Sequence, residues 1–193
     1  ATCPPPPAHT QAMTHRAPEL HTTEDGSLTL YAPTFGEHYH SMHGAVQESE
    51  HIYLGLALRE RMSSWQEGDA PLRLFEVGFG TGLNALLSWR EAEERHIPLQ
   101  YYSIEKFPIT PELYEAALHY EGLGEEREVK DQLLRLHTAP WDEAVELSPF
   151  FTLHKLRGDL TTCTFPKRLS VIYYDAFSPE SQPELWAEEL FQR

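Results

Sequence analysis

"LFEVGFGTGLN", residues 74–84, sets three glycines at alternate positions directly after an apolar run that ends in an acid. Glycine weakens a regular element unless the backbone turns sharply or lies close against a neighbour. The flanks suit such a turn. "LRLFEVG" reads as a buried strand, and "LNALLSWREAEERH" is made of good helix formers throughout. A glycine-rich strand-to-helix turn is the place where a βαβ fold meets a ligand, beyond the carboxyl ends of its strands.

The rest of the chain repeats this grammar. "LQYYSIEKF" is a second strand, and "TPELYEAALHY" opens a helix with Thr110 as N-cap and Pro111 at the first helical position. "FFTLHKLRGDL" is a third strand, and "RLSVIYYDAF" is a fourth, expected to be central and buried for its β-branched and aromatic content. "PELWAEELFQR" starts another helix. Strands alternating with helices imply an α/β fold on a parallel sheet, Rossmann-like in class. Ahead of it, "GSLTLYAP" (26–33) alternates like a short strand, and residues 46–62 carry Val46, Ile52, Leu54, Leu56 and Leu58 on a plausible helix.

The expected organisation is a disordered proline-rich tail (1–23), an N-terminal extension of strand plus helix (24–70), and a Rossmann-like core (71–193). A doubly wound sheet is expected to continue past the strand ending at Asp175, so the core reads as truncated at its C-terminus.

Composition narrows the function. The 193 residues are 40% hydrophobic and carry a net charge of −15, from 30 acids against 15 bases. That balance opposes a non-specific nucleic-acid binder. No apolar run approaches the roughly 18 residues of a membrane span. Two cysteines, Cys3 and Cys163, make no disulfide framework, so a reducing, cytoplasmic setting is expected. His38, His40, His43 and His51 lie near Glu37, Glu48 and Glu50, but their spacing matches no compact ligand pattern, and no metal is expected. Lys155, Arg157, Lys167 and Arg168 suit either phosphates or an ordinary solvated face.

The glycine spacing discriminates between cofactors. Dehydrogenases use G-x-G-x-x-G, whereas Glu76-Val-Gly78-Phe-Gly80-Thr-Gly82 gives E-x-G-x-G-x-G. The second form suits S-adenosyl-L-methionine (SAM), which has no pyrophosphate to cradle. A tight turn without a ligand is its structural alternative. Glu105 ends the second strand 29 residues after Glu76 (105 − 76), where a carboxylate can accept both ribose hydroxyls. Asp159, at the exit of the third strand, suits either the adenine amino group or a turn. Asp175 ends the fourth strand, and its carboxylate is expected to point into the cleft, an N-cap role being the alternative. The expected cofactor set is Glu76, Gly78, Phe79, Gly80, Thr81, Gly82, Asn84, Glu105, Lys106, Asp159 and Asp175. Asp175 doubles as the catalytic residue, and Phe177 and Pro179 shape the substrate entrance.

Several separated stretches resemble one family. "DGSLTLYAPTFGEHYHSMHGAVQESEHIYL", "FEVGFGTGLNAL", "YYSIEKFPIT", "LHTAPWD", "FTLHKLRGDL" and "IYYDAFSPESQPELW" are similar, in this order, to the methyltransferase of bacterial wobble-uridine tRNA modification. That family makes 5-methylaminomethyl-2-thiouridine from its aminomethyl precursor, alone or fused to a flavin-dependent oxidase. The resemblance implies a SAM-dependent enzyme of the stand-alone form that acts on the anticodon loop of tRNA. It also implies cofactor contacts at Glu76, Gly78, Gly80, Glu105 and Asp159, with Asp175 at the methyl end. The rival readings are a small-molecule amine N-methyltransferase and a non-catalytic SAM-binding module.

Overall fold

Leu72, Leu74 and Glu76 alternate with Arg73, Phe75 and Val77, so the strand that carries the motif sends two rows of side chains to opposite faces. In the structure, a computed structural model describing residues 16–22, 28–39, 44–117, 123 and 125–193, both faces of this strand are covered. Leu72 and Leu74 join the larger core with Tyr101, Leu153 and Tyr173, against helices. Phe75 and Val77 join Ile104, Leu156 and Leu160 on the other side. Two covered faces are what a parallel α/β sheet requires.

The first elements among the described residues form a three-stranded antiparallel meander, β1 (Glu19–Thr22), β2 (Leu28–Ala32) and β3 (Glu37–His38). A long helix follows: α1 (Ala45–Ser49), a π-helical stretch (Glu50–Arg59) and α2 (Glu60–Ser63). Then come β4 (Leu72–Val77), α3 (Leu83–Arg95), β5 (Leu99–Glu105), α4 (Pro111–Ala117), α5 (Glu126–Thr138), β6 (Ala144–Ser148), β7 (Phe151–Arg157) and β8 (Val171–Tyr174). A 3-10 turn (Pro183–Trp186) and α6 (Glu188–Phe191) complete it.

The main sheet runs β6-β7-β5-β4-β8, with β4, β5, β7 and β8 parallel and β6 antiparallel to β7. The expected α/β class holds, and three expectations change. Residues 19–22, assigned to the tail, form β1, because Glu19–Thr22 pairs residue by residue with Tyr31–Leu28. The helix α5 and the edge strand β6 were not expected. Val129, Leu133 and Leu136 supply the apolar stripe that seats α5 on the core, and β6 hairpins onto β7. Among the described residues β8 pairs with β4 on one side, with Val171 and Tyr173 buried and Ile172 57% exposed.

The meander closes one side of the cleft. Leu30 and Ile109 form a small core that Tyr39, Leu113 and Tyr114 pack against, joining it to α4. Glu37 accepts from the Ser178 amide (3.1 Å) and from the hydroxyls of Ser178 and Ser181, tying β3 to the loop after β8.

Candidate active site

A cleft of about 440 Å³ opens at the carboxyl ends of β4, β5, β7 and β8, within the size range of small-molecule sites. Its floor is the glycine turn, and its chemistry is acidic. Glu37, Glu48, Glu105, Asp159, Asp175 and Glu184 line it. Lys106 joins them and pairs with Asp159 at 2.7 Å.

The turn is held from below and behind. Gly78, Gly80 and Gly82 all have positive φ (88°, 50° and 79°). A Cβ on Gly78 would stand 2.8 Å from the carbonyl oxygen of Asp175, and one on Gly80 would stand 3.2 Å from the Tyr39 ring. Close backbone approach therefore demands glycine at 78. Glu105 Oε2 accepts from the amides of Phe79 (3.1 Å) and Gly80 (3.3 Å), and its Oε1 accepts from Phe107 (2.8 Å). Burial pushes its carboxyl above the ordinary value although these amides favour the anion. Beneath the turn, His137 Nε2 bonds the Thr81 carbonyl at 2.9 Å, and burial brings that imidazole down to about 4, so a neutral His137 donates. Lys155, on β7 in the same row as Phe151 and Leu153, is buried. Its ammonium donates to the His137 carbonyl (2.6 Å) and lies over the rings of Trp141 and Phe79. Desolvation lowers it to about 8.

Asp175 continues the row Val171–Tyr173 onto the helix-covered face, which is why helical residues reach it. Its Oδ1 accepts from the Tyr53 hydroxyl (2.9 Å), and its Oδ2 accepts from the Asn84 amide (2.8 Å). Burial raises it to about 6, against the pull of those two donors. Glu76 continues the row Leu72–Leu74 onto the same face and is 1% exposed. Desolvation pushes it to about 8, with the charge of Asp175 adding to the rise. It lies against Ser103, Tyr101 and Asn84. Glu76 Oε2 and Asn84 Oδ1 are both buried without a hydrogen-bond partner. A proton on Glu76 turns one of these orphaned acceptors into a donor.

Of the sequence-predicted residues, Gly78, Phe79, Gly80, Thr81, Asn84, Glu105, Lys106, Asp159, Asp175 and Phe177 do line the cleft. Glu76 stands behind the wall. Gly82 faces Phe79 and His137, where packing accounts for it, and Pro179 is an exposed loop residue off the cleft. Asp159 plays the turn role as well, since its Oδ1 accepts from the Thr161 amide and hydroxyl. Burial acts upward on its carboxyl, but these donors and Lys106 bring it below the ordinary aspartate value. His38 lines the cleft and bonds His21 at 3.1 Å, while His40 and His43 lie outside the described residues. Lys155 turns its charge inward, away from any phosphate.

Sequence reasoning missed Tyr53, Tyr39 and Phe35. Tyr39 and Phe35 meet Phe177 edge-on (5.4 Å) and stacked (4.7 Å), making an aromatic rim from the extension and the "DAFSP" loop. Tyr53 was hidden by winding: the π-helical stretch breaks the 3.6-residue count on which helical faces are read.

The residues fit a sulfonium cofactor. The cleft is rich in carboxylates, its Lys106 is paired with Asp159, and its floor is a cradle that a side chain at Gly78 would fill. No helix among the described residues is long and apolar enough to cross a membrane.

Comparison with known proteins agrees. Residues 125–193 match a family model described as S-adenosyl-L-methionine-dependent methyltransferase. The chain is 31% identical over 179 residues to the "tRNA 5-methylaminomethyl-2-thiouridine biosynthesis bifunctional protein MnmC" of Cupriavidus metallidurans, which covers 85% of this chain and 25% of that protein. It is 30% identical to the MnmC of Pseudomonas paraeruginosa, over 81% of this chain and 25% of that protein. The chain thus spans about a quarter of the length of these curated relatives. The crystal structure of MNMC2 from Aquifex aeolicus superposes with a TM-score of 0.69 at 26% identity, covering 93% of this chain and 55% of that one.

Proposed function

We propose that this chain, a methyltransferase similar to the S-adenosyl-L-methionine-dependent MnmC proteins, methylates the amine of 5-aminomethyl-2-thiouridine at the wobble position of tRNA. The observation that carries this reading is Asp175, an anionic acceptor fixed by Tyr53 and Asn84 on the wall of an acidic cleft. Within it, residues 24–70 act as an extension completing the cleft, residues 71–193 as the methyltransferase core, and the setting is cytoplasmic.

SAM, when bound, supplies an electrophilic methyl group on a sulfonium that leaves as a neutral thioether. The chain's own work is to hold that cation and to deliver a neutral amine. An alkyl ammonium has an ordinary pKa of roughly 10.4 and carries no free lone pair while protonated. Asp175, at about 6, is ionised at neutral pH. Its carboxylate attracts the ammonium, takes one N–H proton, and leaves the nitrogen lone pair free to form the N–C bond while the C–S bond breaks. Gly78, Phe79, Gly80, Glu105 and Asp159 hold the cofactor, with the backbone of Thr81 and the Lys106–Asp159 pair shaping its far end. The acidic wall repels phosphates, so only the base enters the cleft. Phe35, Tyr39 and Phe177 give it aromatic faces to stack on, the means by which splayed RNA bases are read.

The test is mass spectrometry of nucleosides from tRNA that carries the aminomethyl group, after incubation with the protein and SAM. Formation of 5-methylaminomethyl-2-thiouridine, abolished in Asp175→Asn, supports the reading. Methylation of free small amines with none on tRNA replaces it with a small-molecule N-methyltransferase. SAM binding with no transfer to either makes the protein a binding module.

A further inference from the structure

Asp175 is held by two side chains from two different helices, and one of them lies outside the Rossmann-like core. Tyr53 sits on the π-helical stretch and sends its hydroxyl 2.9 Å to Oδ1, its ring tilted against Tyr173 at 5.0 Å. Asn84 sits in the first turn of α3 and sends its amide 2.8 Å to Oδ2. Each carboxylate oxygen thus receives one donor from behind and keeps lone-pair capacity for the cleft. Neither donor suits a protonated Asp175 as well as an ionised one, because charge-assisted hydrogen bonds are the stronger kind. The surroundings work the other way. Glu48 on α1, Glu76 on β4 and Tyr101 on β5 all face the carboxyl, and none of them offers it a positive charge. Two donors in an otherwise acidic and buried place are what keeps this acid usable as a base.

We propose that Tyr53 and Asn84 are positioning residues for the methyl-transfer step, and that the N-terminal extension completes the active site by delivering the Tyr53 hydroxyl to Asp175. The π-helical winding has a purpose in this arrangement. Leu54 and Leu58, four residues apart, are both buried against the core, and the wider winding lets Tyr53 reach the cleft beside them. The extension thereby acts on the chemistry itself and not only on the shape of the cleft. The proposal rests on Asp175 being the base.

The experiment is a pair of titrations on Tyr53→Phe and, independently, Asn84→Ala. The first follows the Asp175 carboxyl by 13C NMR in the protein without substrate. The second follows methyl transfer to aminomethyl-uridine tRNA as a function of pH. A hydrogen bond to an ion is worth enough that its loss moves a carboxyl by about one pH unit. Asp175 in Tyr53→Phe is therefore expected to titrate about one unit above the parent, the acid limb of kcat following it by the same amount, with the KM for SAM unchanged and alkaline turnover largely restored. An Asp175 titration that coincides with the parent's overturns the proposal. So does a loss of turnover that is uniform across pH, or the failure of both variants to fold, either of which assigns the pair a purely structural role. A parent protein that does not methylate this tRNA refutes the proposed function instead, and the NMR titration still reads the Tyr53 bond on its own.

Discussion

Glu76 stands in a row of buried side chains beside a second acid, and replacing it with glutamine should change how stability depends on pH. Glu76→Gln keeps the shape and the neighbours Ser103, Tyr101 and Asn84 but removes the ionisation. Burial raises the folded carboxyl from 4.5 to about 8, so between these values the native protein keeps a proton that the unfolded chain has released. The sign follows directly: stability is fully present below 4.5 and is lost as pH rises toward 8. That gap, at about 1.4 kcal/mol per pH unit, comes to about 5 kcal/mol as an upper limit. Asp175 is also raised, from 3.8 to about 6, and loses stability over its own range in the same direction. The difference between parent and variant isolates Glu76 from it. Urea unfolding at a series of pH values between 5 and 8 is the assay. The parent should weaken steadily across this window, and Glu76→Gln should weaken distinctly less. Two profiles that run parallel would refute the reasoning and mean that Glu76 is ionised in the folded protein.

Gly78→Ala should destabilise more than Gly80→Ala, because its Cβ meets the Asp175 backbone at 2.8 Å, whereas the Tyr39 ring at Gly80 can yield. With at least about 2 kcal/mol of strain at Gly78, its melting temperature should fall by about 4–8 °C, and an equal or smaller loss than for Gly80→Ala would contradict the geometry. Lys155→Met should remove a high-pH gain. With Lys155 lowered from 10.5 to about 8, the native state has released a proton that the unfolded chain still holds in that window, so parent stability rises relative to the variant as pH increases; denaturation at pH 8 and 10 checks it. Glu37→Gln should weaken the tie between β3 and the Ser178 loop and cost about 1–2 kcal/mol at neutral pH. Although burial acts upward on Glu37, its serine and amide donors hold it below 4.5, so this stabilisation fades in acid, and an unchanged melting temperature at neutral pH would show that the tie is not formed in solution.

The sequence made the centre of the site legible and its surroundings much less so. A strand, alternate glycines and a helix are local signals, and β4, the turn and α3 follow from them. Glu105, Asp159 and Asp175 were readable because acids at strand ends face the cleft whatever the rest of the chain does. The order of strands is not local. "SVIYYD" names a buried strand but not its neighbour, and only the pairing register places β8 beside β4. The helix α5 is short of apolar residues, so its signal is only the i, i+4, i+7 spacing of Val129, Leu133 and Leu136, and the core shows which face that spacing buries. Pro179 follows the cleft residue Phe177 by two positions, yet it stands exposed in the turn at 179–181 and off the cleft.

The N-terminal extension shows where a motif-based reading of such a site stops. The glycine turn and the strand-end acids can bind a cofactor, but they do not distinguish a binding module from an enzyme. What distinguishes them is the state of Asp175, and that state depends on groups the motif does not contain. A partly buried carboxyl with acidic neighbours tends to keep its proton and so to lose its basicity. Tyr53, from the extension, and Asn84, from the helix after the turn, oppose that tendency with one hydrogen bond each. Glu37 fixes the loop that follows Asp175, and Tyr39 and Phe35 cover it. Residues 28–63 thus supply a donor, an anchor and a stacking rim to a core that on its own would present an acidic hole. Transferring a methyl group from a cation to an amine needs a base that is anionic yet shielded from water, and here the fold reaches that state by docking a second, smaller sheet and one unevenly wound helix against the carboxyl end of the first.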